Sequence, residues 1–268
     1  MSTIGFIGTG NMGSALARAA SKNVLPGELL LSDRFPEKAE ELAKAIGGRA
    51  ADNAAVAGSA RYVVLAVKPQ MMAEMLSSVS SVLKNRKDGF VLVTIAAGLT
   101  VSRILEMAGG DYPVIRIMPN TPCAIGSGVV LCCRNGKVSD EDYDAFKTVM
   151  SAAGTLIDLK EDLIDAGSAI SGCGPAYVYT FIEAMADAGV ACGLTRADAV
   201  KLAAATVKGS AELAASSGKH TAQLRDEVCS PGGSTIAGVL SLENDGFRAA
   251  VANCVKAAYG KTKDLGKQ

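Results

Sequence analysis

Gly8-Thr9-Gly10-Asn11-Met12-Gly13 and Ser230-Pro231-Gly232-Gly233-Ser234-Thr235 are the two stretches of this 268-residue chain whose residue types and spacing could do chemistry. The first has G-x-G-x-x-G spacing. Gly8 suits a tight turn, Gly10 lets a pyrophosphate approach the backbone, and Gly13 lets a helix pack closely on a strand. The amides that open such a helix face the phosphates. The second sets a proline and two glycines among the hydroxyls of Ser230, Ser234 and Thr235, followed by an apolar stretch with helical spacing. Capping that helix needs one hydroxyl. Two glycines also allow something to approach the backbone closely, so a ligand is expected there.

The elements around the first loop agree with it. Thr3 to Ile7 reads as a strand, Ser14 to Lys22 as a helix, and Leu29 to Leu31 as a second strand ending at Ser32-Asp33-Arg34. Asp33 stands 20 residues beyond Gly13, where an acidic residue accepts hydrogen bonds from an adenosine ribose. It could instead cap the PEKAEEL helix. A carboxylate at the ribose favours NAD, whereas the Arg34 guanidinium suits the 2′-phosphate of NADP. Both dinucleotides stay open on these residues alone.

Tyr62 to Val67, Phe90 to Ile95 and Val114 to Met118 are near-continuous apolar runs, as in parallel strands buried on both faces. They end at Lys68-Pro69, at Ala96-Ala97-Gly98 and at Pro119-Asn120-Thr121-Pro122. Ligands of open α/β sheets sit outside the carboxyl ends of strands, so these loops are expected to line one crevice with the glycine loop. The cofactor-lining set is then Gly8, Thr9, Gly10, Asn11, Met12, Gly13, Asp33, Arg34, Asn53, Ala66, Val67, Lys68, Pro69, Ala96, Ala97 and Gly98. Asn120 is expected beside the cofactor or substrate.

Strand-like runs fade near residue 160. Beyond it the chain is rich in Ala and Gly, with helical registers over 175–190, 195–217, 234–242 and 247–265. The expected domains are therefore residues 1–160, α/β and dinucleotide-binding, and residues 161–268, all-helical. So apolar a helical region is expected to complete its core across a subunit boundary.

Composition excludes other classes. Lys plus Arg and Asp plus Glu number 27 each, and aromatic residues make up 4 % with no Trp. Neither charge nor stacking surface points to nucleic acid. No apolar run is long enough to span a membrane, and the opening MSTIGFIGTGNMG passes into a strand without the pattern of a secretion signal. Seven cysteines without a C-x-x-C pair fit reduced thiols, hence a cytoplasmic location and no metal centre. Cys132 and Cys133, in the run GVVLCC, read as small buried hydrophobes. The one histidine, His220, falls in SGKHTAQLRD, which reads as a polar turn.

Taken together, IGFIGTGNMG (4–13), AVKP (66–69), IAAG (95–98), IRIMPNTP (115–122), EDLIDA (161–166), SGCGPAYVY (171–179) and LRDEVCSPGGSTIAGVLSLE (224–243) resemble the pyrroline-5-carboxylate reductase family over essentially the whole chain. The last stretch is the most specific. The resemblance implies a Rossmann domain joined to a helical domain that dimerises and assembles further. It also implies reduction of the C=N bond of 1-pyrroline-5-carboxylate by NADPH, with NADH as the alternative, giving L-proline. Ser32-Asp33-Arg34 departs from the small residues often found there in relatives. Under this resemblance the substrate carboxylate rests on the amides of 233–235, so Gly233, Ser234 and Thr235 join Ser230 and Asn120 as substrate-binding candidates. The Thr235 hydroxyl is the catalytic candidate, hydrogen-bonding the ring nitrogen.

Two rivals are tested by the same residues. A β-hydroxyacid dehydrogenase would carry a catalytic Lys on the helix after its second glycine motif, yet the helix after Gly172-Cys173-Gly174 reads PAYVYTFIEAMADAG. A dinucleotide sensor without turnover would have no need of the SPGGST segment.

Overall fold

The computed structural model describes residues 2–265. By internal contacts the chain forms two units. The described residues of the first run to Cys173 and resume at Ala258, and the second is Gly174–Ala257. The compact division thus falls later than the change in composition near residue 160.

The first unit alternates strand and helix. In chain order these are β1 (Ser2–Ile7), α1 (Asn11–Ala20), β2 (Leu29–Ser32), α2 (Pro36–Ile46), β3 (Arg49–Ala50), α3 (Asn53–Ser59), β4 (Ala60–Leu65), α4 (Met72–Asn85), β5 (Val91–Thr94), α5 (Val101–Ala108), β6 (Val114–Pro119), β7 (Gly128–Arg134), α6 (Asp140–Met150), β8 (Gly154–Asp158) and α7 (Glu161–Ser171). Caps mark several helix starts. Asp52 accepts the Ala55 amide at 2.7 Å, Thr100 the Arg103 amide at 3.3 Å and Ser139 the Asp142 amide at 3.1 Å.

The strands form one sheet in the order β3-β2-β1-β4-β5-β6-β7-β8. Pairing is parallel from β3 through to β6. β7 runs antiparallel to β6, and β8 is parallel to β7. GVVLCC therefore belongs to a reversed strand, with Cys132 and Cys133 both buried. Burial pushes their thiols up to about 12 and about 11. Apolar side chains pack on both faces. Phe6, Leu31, Tyr62, Val64, Ile115 and Phe146 lie on one side, and Ile7, Val63, Leu65, Leu76, Leu92 and Ile104 on the other. That two-sided burial is why the strands read as unbroken apolar runs. Strand order reverses between β2 and β4 around β1, the topological switch point where such sheets take ligands.

The second unit is helical: α8 (Gly174–Ala191), α9 (Arg196–Ser216), α10 (Thr221–Val228), α11 (Ser234–Asn244) and the start of α12 (Phe247–Leu265). Its only buried residues are Ala186, Ala199 and Ala203, while Tyr179, Leu202, Leu213, Leu240 and Val251 are exposed. Tyr177, Phe181, Met185, Leu242, Phe247 and Val251 line an apolar groove of ≈ 560 Å³. α10 was not expected, since it is polar and buries nothing, so no apolar periodicity announces it. His220 is its N-cap, with Nδ1 accepting the Ala222 amide at 3.1 Å.

Candidate active site

The glycine loop meets the geometry its spacing demands. Gly8 has φ +107°, and a Cβ there would stand 2.6 Å from the Ala66 carbonyl oxygen. A Cβ on Gly13 would stand 2.2 Å from the Gly8 carbonyl oxygen, so only glycine lets α1 sit this close to the loop. Gly10 differs, since a Cβ there would meet nothing within 4 Å. Gly10 is also the N-cap of α1, with no side-chain cap and no acidic residue in the first turn. The first amides of α1 thus lack side-chain acceptors, with open space beside them. That arrangement fits a pyrophosphate.

Asn11 is exposed at the first helical position, and Met12 packs partly buried against the core. Asp33 is heavily engaged. Its Oδ2 accepts the Thr9 amide at 2.7 Å and the Thr9 hydroxyl at 2.8 Å, and its Oδ1 accepts the Phe35 amide at 3.0 Å. Burial alone would raise its pKa, since it disfavours the charged form. The hydrogen bonds from Phe35 and Thr9 outweigh that and hold the carboxyl below its ordinary range. Asp33 does not cap α2, whose N-cap is Phe35.

Arg34, by contrast, makes no hydrogen bond or ion pair among the described residues. It lines a cleft of ≈ 590 Å³ with Gly8, Gly10, Asp33, Lys38, Asn53, Ala66, Val67 and Lys68. Lys38 was missed in the sequence, although a second cation four residues after Arg34, on the helix that follows, was the available signal. Asn53 opens α3 and accepts the Ser32 hydroxyl at 2.8 Å.

The strand-end loops do not all share that cleft. Pro69, Ala97 and Gly98 line a second one of ≈ 780 Å³ with Gln70, Thr100 and Arg103, and Ala96 is buried. The loop after β4 contributes to both, with Lys68 lining the first cleft and Pro69 the second.

Asn120 is held by the protein itself. It is 7 % exposed, donates to the Ser171 carbonyl at 2.9 Å and accepts the Val129 amide at 2.9 Å. Those bonds brace the end of β6 against α7 and β7.

In the second unit, Gly232 takes φ +68°, and the Gly233 amide donates to the Ser230 carbonyl at 3.1 Å. A Cβ on Gly233 would stand 2.4 Å from Ser230 Oγ, which explains the second glycine. Gly233 is the N-cap of α11 and offers no side-chain cap. Ser234 and Thr235 are therefore the first two helical residues. Both are exposed, and their hydroxyls bond to nothing among the described residues. The reading of either as a mere cap is overturned. This is a free helix N-terminus carrying two free hydroxyls, without an acidic residue in its first turn.

A glycine-rich loop at the switch point of a largely parallel sheet, beside a cleft that Arg34 and Lys38 line, is the arrangement of a dinucleotide-dependent oxidoreductase. No group of metal-ligating residues occurs among the described residues. Residues 161–265 match the family described as pyrroline-5-carboxylate reductase dimerisation, and residues 3–98 match one described as NADP oxidoreductase, coenzyme F420-dependent. A pyrroline-5-carboxylate reductase of Synechocystis sp. is 41 % identical over 268 residues, covering 99 % of this chain and 98 % of that protein. Among solved structures, a pyrroline-5-carboxylate reductase from Coxiella burnetii matches with TM-score 0.91 and 31 % identity. One from Plasmodium falciparum, with NADP bound, matches with TM-score 0.86 and 34 % identity. Each comparison covers 98 % of both chains. The chain belongs to the pyrroline-5-carboxylate reductase family.

Proposed function

We infer that this protein reduces the C=N bond of 1-pyrroline-5-carboxylate to L-proline, with NADPH as donor and NADH as the alternative. The observation that carries the reading is the uncapped N-terminus of α11 with the free hydroxyl of Thr235 beside it. A small anionic cyclic imine needs a seat for one carboxylate and a hydrogen-bonding partner for one ring nitrogen. Exposed amides and the positive helix end supply the first. The Thr235 hydroxyl supplies the second.

The reduced nicotinamide, when bound, supplies the hydride. The chain's own residues bind and orient. Gly8, Gly10 and Gly13 shape the phosphate seat, and Arg34 and Lys38 offer positive charge for a 2′-phosphate. Asp33, already engaged with Thr9 and Phe35, opposes that phosphate less than a free carboxylate would. The imine nitrogen takes its proton from solvent, so no strong general acid is required and a chain with one histidine suffices.

The division of labour follows the expected domains, with residues 1–160 for the donor and 161–268 for substrate and self-association, as a homodimer or an oligomer of dimers. No helix among the described residues is long and apolar enough to cross a membrane. We place the reaction in the cytoplasm, in keeping with seven free cysteines. The test is oxidation of NADPH and of NADH, measured separately, with 1-pyrroline-5-carboxylate as substrate. Turnover supports the reading, and dinucleotide binding without turnover points to a different imine or to a sensor.

A further inference from the structure

We propose that Asp33 is a positioning residue for the phosphate loop, acting through Thr9, and is not the acceptor for the adenosine ribose. This deepens the functional reading above and rests on it for the nature of the ligand. Thr9 lies between Gly8 and Gly10 and is 7 % exposed. Its amide and its hydroxyl both donate to one oxygen of Asp33, at 2.7 and 2.8 Å. Its carbonyl accepts the Ser14 hydroxyl at 2.6 Å. Every polar group of Thr9 is therefore spent inside the protein, on the loop after β2 on one side and on α1 on the other.

The carboxylate is engaged on both of its oxygens. Of roughly four lone-pair positions on its two oxygens, Thr9 and Phe35 use three. A loop with two glycines loses much conformational freedom on ordering. Straps from Asp33 and Ser14 fix it before the ligand arrives, which lowers the cost of binding. A fixed loop serves any dinucleotide pyrophosphate, whatever the ribose carries. A ribose acceptor, in contrast, discriminates between the two cofactors.

Calorimetric titration with ADP-ribose and with 2′-phospho-ADP-ribose separates the two roles without any turnover. Thr9→Val is expected to weaken both probes by a common factor of about five to ten, and Thr9→Ser to stay within about twofold. Asp33→Asn should weaken both in the same direction, and the double variant should be little worse than the weaker single one. Melting curves come first. If Thr9→Val does not fold, Ser14→Ala removes the other strap and should likewise weaken both probes alike. The proposal is overturned if Asp33→Asn weakens ADP-ribose alone and strengthens the 2′-phosphate probe while the Thr9 or Ser14 variant binds as wild type does. A wild-type protein that binds neither probe would instead sink the dinucleotide reading itself.

Discussion

Glu161 accepts a hydrogen bond from the Val101 amide at 2.6 Å, so a side chain on α7 closes the start of α5 sixty residues earlier. The same oxygen lies 3.5 Å from the guanidinium of Arg116 on β6, whose other nitrogen meets Asp165 at 2.8 Å. Arg116 is almost wholly buried, and its Nε has no partner among the described residues. The guanidinium depends on these two carboxylates. Asp165→Ala should destabilise the protein by about 2 kcal/mol, less than for a fully buried pair because Asp165 is partly exposed. Urea unfolding would show a lower midpoint at an unchanged slope.

The glycines of the phosphate loop should respond differently to one added methyl group. Gly10→Ala meets no protein atom and should change stability by less than about 1 kcal/mol, while weakening dinucleotide binding at least about tenfold. Gly13→Ala drives a Cβ into the Gly8 carbonyl and should lower both. Melting temperature and dinucleotide titration on the two proteins suffice.

Thr235→Ala should abolish most turnover while leaving the fold and dinucleotide affinity as they are, because α11 does not use this hydroxyl as its cap. The loss corresponds to a hydrogen bond to a charged group, about 1.5–3 kcal/mol in kcat/KM. Thr235→Ser should recover much of it. Equal loss of melting temperature and activity would argue against a direct role.

Arg34→Ala should reduce affinity for NADPH by about tenfold and leave NADH nearly unchanged. The comparison is direct by titration of each reduced dinucleotide, and the effect on NADPH should shrink at high salt.

Acid stability should carry the mark of two carboxylates. Burial alone would raise Asp33 and Asp158, but hydrogen bonds from Phe35 and Thr9 to the first, and from Tyr143 and Lys147 to the second, keep both below the ordinary range. Each therefore holds fewer protons folded than unfolded near a pH of about 4. Their contribution is complete above that pH and is lost as pH falls through the lower folded values. Asp33→Asn and Asp158→Asn should each flatten the acid limb of a stability profile and leave neutral pH as the less stable side of the comparison with wild type.

What the sequence conveys well is local. Gly8, Gly10 and Gly13 announce the loop by spacing alone, and strands buried on both faces announce themselves as apolar runs. The reversal of β7 leaves no such trace, because direction is settled by pairing with β6 and not by composition. Partners distant in the chain are equally silent. Asp33 sits where a ribose acceptor would sit, yet its partner Thr9 is 24 residues away. Asn120 has a side chain fit for a ligand, and nothing near it in the chain announces its bond to the Ser171 carbonyl, 51 residues on. The SPGGST segment was legible as a helix start. That Gly233, and neither hydroxyl, caps the helix was not, since Ser and Thr are the commoner caps.

The second unit buries only three alanines within itself, so its helices lack the apolar burial that would hold them folded alone. Its native form must then be reached by collision as well as by folding. Dilution acts on such a protein as a denaturant does: the apparent melting temperature climbs with protein concentration, and a protomer kept from its partner forfeits the helix start proposed to hold the substrate.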